Sequence, residues 1–289
     1  MLTTAEILKR VRRIEIKTRG LSNHIFAGEY HSTFKGRGMS FSEVREYTPG
    51  DDVKSIDWNV TARFSHPFVK VFEEERELTL MLLVDISPSS LFGTHKRLKR
   101  ELITEISAVL SFSASTNNDK VGVIFFSDKV EKFIPPKKGR SHILRIIREL
   151  IALEPVQGGG TDVSAALDYL NNVLKKRTIA FVLSDFISVP YESALQLAAR
   201  KHDLIGMQVY DKNDRELPEA GLIQVMDAET NELKWLDTDD KNVRKYYTSA
   251  FEWHKDYCIQ SFRKSGATLL QLRTDDDYVK KLQGFFKGR

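Results

Sequence analysis

In the short segment Asp85-Ile86-Ser87-Pro88-Ser89, side chains that carry oxygen alternate with side chains that carry none. In a loop leaving a strand, this alternation can turn three oxygens to one side. Two other segments offer the same kind of atom: Thr161, behind Gly158-Gly159-Gly160, and Asp185, at the end of the apolar run 179–183. Glycines open backbone angles that are closed to other residues and let the chain approach a ligand closely. A set of oxygen donors without cysteine or histidine suits a hard cation, Mg²⁺ first, with Mn²⁺ or Ca²⁺ as alternatives. Each piece taken alone has a plainer explanation. Ser87 or Ser89 can cap a following helix, Thr161 or Asp162 can cap the next one, and an acid at a strand end is common. Asp85, Ser87, Ser89, Thr161 and Asp185 taken together, in order at the carboxyl ends of expected strands, favour a metal site.

Positioning these residues requires a particular set of elements. From about residue 78, short apolar runs (80–84, 121–126, 179–183, 204–209 and 268–272) alternate with amphipathic helical patterns near 96–115, 141–152, 163–174, 191–200 and 241–264. The run 130–134 returns from its predecessor as an antiparallel edge. This alternation predicts an α/β fold, a doubly wound, mostly parallel six-stranded sheet covered on both faces. Ligands of such sheets sit outside the carboxyl ends of the strands, where the oxygen-bearing residues fall. Residues 1–77 are expected to form a separate N-terminal part, a helix over 4–17 followed by a small β-containing unit. Residues 78–289 form the main domain, with a hairpin inserted at about 213–240 and strands near 222–236.

Composition narrows the classes of function. With 44 basic and 40 acidic residues, the net charge of +4 is too small to imply nucleic-acid binding by itself. The basic positions Lys9, Arg10, Arg12, Arg13, Lys17 and Arg19 read as a solvated helix face. A single cysteine, Cys258, excludes an intramolecular disulfide and fits a reducing compartment. No apolar run approaches the roughly 20 residues that span a bilayer, and the N-terminus lacks an apolar signal core, so a cytoplasmic location is expected. The seven histidines are scattered, none is paired at i, i+4, and none is assigned to metal. The polar group Arg45, Asp51, Asp52, Asp57, Trp58 and Arg63 is expected to be an arginine–carboxylate network that pins the small unit to the main domain.

The segment Asp85-x-Ser87-x-Ser89, with Thr161 in its Gly-Gly-Thr loop and Asp185 after a later strand, resembles the metal-ion-dependent adhesion site of von Willebrand factor A domains. The resemblance implies that Ser87, Ser89 and Thr161 are hydroxyl ligands, and that Asp85 and Asp185 coordinate directly or through water. Phe186 departs from the pattern, because many such domains have glycine there; it is expected to reshape the rim without removing a ligand. A second resemblance covers essentially the whole chain. Gly36-Arg37-Gly38-Met39-Ser40-Phe41, the run 44–53, Ile56-Asp57-Trp58, Thr61-Ala62-Arg63, the run 227–231, Arg244 with Tyr246, and the closing run 285–289 look like the signature of domain-of-unknown-function family fifty-eight. Genes of that family often neighbour those of MoxR-type AAA+ ATPases, which implies a chaperone-like or assembly role with such an ATPase.

Three functions compete. The first is a metal-dependent protein–protein interaction module. A largely neutral ligand shell leaves the cation weakly bound and unsaturated, ready for an Asp or Glu of a partner, expected to be a MoxR-type AAA+ ATPase or its substrate. The second is a Mg²⁺-dependent phosphatase-like hydrolase. Such enzymes need a second aspartate two residues after the first as acid–base, and Ser87 stands there. No phosphate-binding glycine loop ending in Lys-Ser/Thr and no Ser–His–Asp arrangement is evident, so no catalytic residue is assigned. The third is a scaffold whose metal site is unused.

Overall fold

The computed structural model describes residues 4–26, 39–64, 66–74, 78–94, 97–154, 159–227 and 232–288. Gly36, Arg37 and Gly38 of the signature, Gly158, the hairpin tip at 228–231 and Arg289 lie outside the described residues. The chain divides into two compact units, His31–Leu78 and the remainder. The N-terminal helix, α1 (Thr4–Phe26), belongs to the larger unit rather than to the small β unit with which it was expected.

In the small unit, β1 (Met39–Glu46) pairs antiparallel with β2 (Phe68–Glu74), and a bulge falls between Phe41 and Glu43. A short helix, α2 (Trp58–Phe64), precedes β2. The tight turn after β1 needs Gly50, whose φ of 115° is costly for a residue with a Cβ. The polar group expected to bridge the two units makes bonds inside this one. Arg45 clasps Asp51 with two bonds of 2.8 and 2.7 Å, and the amide of Thr48 donates to the same carboxylate at 2.9 Å. Asp52 caps the turn Val53–Ser55 through the amide of Lys54, and Asp57 caps α2 through the amides of Asn59 and Val60.

The larger unit is built on β3 (Thr79–Asp85), α3 (Lys99–Thr116), β4 (Lys120–Phe126), β5 (Val130–Lys137), α4 (Arg140–Ala152), α5 (Val163–Val173), β6 (Ile179–Ser184), α6 (Glu192–Lys201) and β7 (Asp203–Tyr210). A hairpin of β8 (Leu222–Met226) and β9 (Leu233–Asp237) follows, then α7 (Lys241–Ser265), β10 (Thr268–Arg273) and α8 (Tyr278–Lys287). The six-stranded sheet runs β10-β7-β6-β3-β4-β5, and every pairing is parallel except that of β4 with β5. The central strands β3 and β6 are nearly continuous apolar runs, as a sheet covered on both faces requires. Met81, Leu83, Ile124 and Val182 pack with Val163, Leu167, Leu195 and Phe262 of helices α5, α6 and α7. Helix α8, which periodicity did not predict, places Phe286 edge-on to Phe181 at 6.4 Å.

Helix α1 forms a further layer beyond the sheet. Val11 joins Ala108, Phe112, Ile143 and Ile147 in one cluster, with Ile7 and Ile14 packed against it. Lys17 pairs with Glu105, Arg140 pairs with Glu15, and Lys9, Arg10, Arg12 and Arg13 are exposed. Among the described residues no helix is long and apolar enough to cross a membrane. The sequence leaves the β8–β9 hairpin open to two readings, surface decoration or an interaction arm. On one face it sets Met226 opposite Leu233 and Gln224 opposite Trp235, and Leu222, Met226, Leu233 and Trp235 are all exposed.

His202 ends α6 in the interior. Its Nδ1 accepts from the amide of Thr178 at 3.3 Å and lies 2.8 Å from the Thr178 hydroxyl. The ring is therefore the neutral Nε2–H tautomer, and Nε2 is buried without a partner among the described residues. Burial, helped by the charges of Lys201 and Arg177, lowers its pKa to about 4. The unfolded chain takes up this proton near pH 6.5 and the folded chain does not, so the stabilisation is complete above pH 6.5 and is lost as pH falls toward 4. Between pH 7 and pH 5 the protein should lose about 1–2 kcal/mol through this residue. Urea unfolding of the wild type and His202→Gln at both pH values checks this; equal losses would show that His202 is not responsible.

Candidate metal centre

Because β3 and β6 are neighbours, with Val84 opposite Leu183, the chain leaves both strands side by side. Asp85 closes β3 and Asp185 follows β6, both buried. Asp85 Oδ1 accepts from the amide of Ser87 at 2.8 Å, and Oδ2 accepts from the Ser184 hydroxyl at 2.5 Å. The hydroxyls of Ser87 and Ser89 lie 3.1 Å apart, and Ser89 donates to Asp185 Oδ2 at 2.8 Å. Ser87, Ser89 and Asp185 are therefore linked through side-chain oxygens, and Asp85 joins them through the amide of Ser87.

Thr161, the fifth, sits on an adjoining loop held by both neighbours. Its carbonyl accepts from the Ser188 hydroxyl at 2.9 Å, and the amide of Asp162 donates to the carbonyl of Ser127, just after β4, at 2.7 Å. Thr161 Oγ1 is buried and has no hydrogen-bond partner among the described residues. Leaving a buried hydroxyl unpaired costs about 1–3 kcal/mol, so this atom needs a reason to be where it is.

Of the plainer explanations as helix caps, the one that names Asp162 holds, and those that name Ser87, Ser89 and Thr161 do not. Asp162, not Thr161, caps α5 through the amide of Ala165 at 3.0 Å. Ser87 stands at the N-cap of the turn Pro88–Leu91, but its side chain makes no capping bond. The Ser89 hydroxyl is directed to Asp185. Three hydroxyls and two carboxylates, all buried except the half-buried Ser89, with one oxygen unpartnered among the described residues, fit a hard divalent cation.

The charges point the same way. Burial and the charge of Asp185 push the Asp85 carboxyl up to about 6, although Ser184 and Ser87 oppose this with hydrogen bonds. Burial raises Asp185 as well, but Lys99 outweighs it and holds this carboxyl below the usual range. Sequence reasoning missed Lys99. From the first turn of α3, 2% exposed, its Nζ lies 2.9 Å from Asp185 Oδ2 and 3.2 Å from Asp214. Ser184 was missed too, and it did leave a signal, since a serine that closes a wholly apolar parallel strand is a buried hydroxyl in need of a partner.

Phe186 adopts φ 59°, the left-handed conformation that glycine takes without strain. Its ring was expected at the rim, but it is 1% exposed and packs into the core, edge-on to Phe262 at 5.3 Å and tilted on Tyr191 at 5.8 Å. The rim is therefore not reshaped by an aromatic ring. The left-handed turn also fits the amide bonds that follow, from Phe186 to the Ser184 hydroxyl at 2.9 Å and from Ile187 to Asp185 Oδ1 at 3.2 Å.

Comparison with known proteins supports the fold and gives the family. An uncharacterized protein of Mycobacterium tuberculosis (strain H37Rv) is 30% identical over 281 residues, which cover 96% of this chain and 88% of that protein. An aerotolerance-related membrane protein from Bacteroides fragilis superposes with a TM-score of 0.52 at 15% identity, covering 73% of this chain and 100% of that one; at that identity the likeness speaks for the fold alone. The von Willebrand A domain of SpRpn10 matches at 12% identity over 71% of this chain and 93% of its own, with a TM-score of 0.39, too distant to carry an argument. The sequence model described as "Protein of unknown function DUF58" matches residues 43–257, most of the length, and the chain belongs to that family.

Proposed function

We propose that this chain is a protein-interaction module that holds a divalent cation, Mg²⁺ first, through Asp85, Ser87, Ser89, Thr161 and Asp185. The observation that supports this reading is the buried Thr161 hydroxyl, which faces no partner among the described residues while the other side-chain oxygens of the set are engaged. When bound, the ion supplies a Lewis-acidic position for an external carboxylate. The residues of the chain bury the ion's surroundings, orient the hydroxyls through Asp85 and Asp185, and leave the shell short of negative charge. An Asp or Glu on an exposed loop of the partner meets that shortage. The family resemblance points to a MoxR-type AAA+ ATPase, or a substrate it delivers, as that partner, in a chaperone-like role in the cytoplasm.

Recognition fits the site better than catalysis does. A phosphatase-like reaction needs an acid–base residue two positions after Asp85, and Ser87, buried and bonded to Ser89, cannot fill that role. The test is the affinity for a purified MoxR-type ATPase in Mg²⁺ and in EDTA. Chelation, Ser87→Ala and Thr161→Ala should each weaken binding by about 2–5 kcal/mol, the range seen when one partner of a buried charged contact is removed. Equal affinity under all these conditions would place the contact elsewhere.

A further inference from the structure

A lysine 2% exposed, touching a candidate metal-binding carboxylate, is an unusual neighbour for a cation site. Lys99 Nζ lies 2.9 Å from Asp185 Oδ2, the oxygen to which Ser89 also donates, while Asp185 Oδ1 accepts from the amide of Ile187. Both oxygens of Asp185 are thus engaged by protein donors. Asp214 holds the ammonium from the other side at 3.2 Å and is itself fixed by the amide of Asp211 at 2.7 Å, and the Phe92 ring lies 5.8 Å from Nζ. At 2% exposure and held between two carboxylates, the ammonium is shielded from water, unlike that of a surface lysine.

We infer that Lys99 is a built-in competitor for the cation: its ammonium holds Asp185 in the metal-free chain and keeps the site's own affinity for a divalent ion low. The inference rests on the metal reading proposed above and deepens it. A fixed positive charge a few Å from a bound divalent ion opposes it, and the same ammonium occupies an oxygen that the ion would otherwise draw on. The site then reaches full occupancy only when an external carboxylate adds the missing negative charge, which couples metal binding to partner binding.

The test is titration of the full-length chain with Mn²⁺ alone, followed by calorimetry and by the metal-induced rise in Tm. Lys99→Met keeps the length of the side chain and removes the charge; it should bind Mn²⁺ at least about tenfold more tightly than the wild type and show a larger Tm rise. Asp214→Asn, which leaves Asp185 as the ammonium's only carboxylate, should bind more weakly than the wild type and gives a reading even if Lys99→Met does not fold. The double variant, with the wild-type sum of charges but no competitor, should still bind more tightly than the wild type. A folded Lys99→Met with unchanged or weaker affinity, or an Asp214→Asn that binds more tightly, would overturn the inference. If Asp85→Asn abolishes a wild-type response that Lys99→Met leaves unchanged, the metal reading stands and the competitor falls. If no variant responds to Mn²⁺, the metal reading and the inference fall together.

Discussion

Asp85→Asn should abolish divalent-cation binding and, in EDTA, yield a more stable protein than the wild type. Both effects come from the same carboxylate. Asp85 is buried beside Asp185, and the ammonium of Lys99 lies on Asp185 rather than on Asp85, so the Asp85 charge is the less compensated of the two. Removing it relieves burial and like-charge repulsion worth roughly 1–3 kcal/mol at neutral pH. The asparagine oxygen can still accept from the amide of Ser87. The Ser184 hydroxyl, which donates to the carboxylate in the wild type, can turn to accept from the new amide. A group kept at a cost to stability is a mark of function. Urea unfolding in EDTA, set beside calorimetric titration with Mn²⁺, measures the two effects separately. A variant that binds Mn²⁺ like the wild type would remove Asp85 from the site, and one less stable than the wild type would make the residue structural.

Phe186 should give the second large effect, in an unusual order. Truncating a buried phenylalanine to alanine costs about 3–5 kcal/mol. At φ 59° the backbone is strained for any residue with a Cβ, so Phe186→Ala loses the ring and keeps the strain. Phe186→Gly loses the same contacts with Tyr191 and Phe262 but releases roughly 1–2 kcal/mol of strain. Glycine should therefore be the milder substitution, the reverse of its usual rank against alanine. Chemical denaturation of both variants decides it. If alanine is the milder, the left-handed turn after Asp185 is not a source of strain.

Much of the site could be read in advance because its parts lie at strand ends. Asp85 and Asp185 follow runs so apolar that the strands could be placed to within a residue or two, and the alternation of strand and helix made the sheet parallel. Adjacent parallel strands then deliver both acids to one edge. The hydroxyls are suggested by the alternation after Asp85 and by the glycine loop before Thr161, and their role as a set by the resemblance to the adhesion site. What escaped was whatever depended on distant pairing. Lys99 lies in the basic stretch 95–100, where nothing local distinguishes it from Arg97 or Arg100, and its partners are 86 and 115 residues away. Helix α1 reads as amphipathic, yet which unit its apolar face covers depends on Phe112 and Ile147, far along the chain. Helix α8 follows an acidic turn, and its Phe285-Phe286 pair was read as a family feature rather than as periodicity. The positive φ of Phe186 is not signalled by the residue itself, whose type argues against it; the glycine that many similar domains have at this place is the one hint.

The delivery of the site by β3, the loop before α5 and β6 also shapes how the protein folds. Ser184 and Asp85, joined by a short hydrogen bond, are separated by 99 residues, and closing a loop of that length precedes any reward from the contact. The oxygens meet only once β3 and β6 have paired, so the unfolded chain has no site to offer an ion. The expectation is that this pairing of β3 with β6 is completed after the folding transition state. Cation-dependent refolding and unfolding rates from stopped-flow measurements check it, and faster refolding in saturating cation would place the pairing earlier. A saturating cation should therefore leave the refolding rate unchanged and slow unfolding instead, so that ion occupancy prolongs the lifetime of the native protein without speeding its formation.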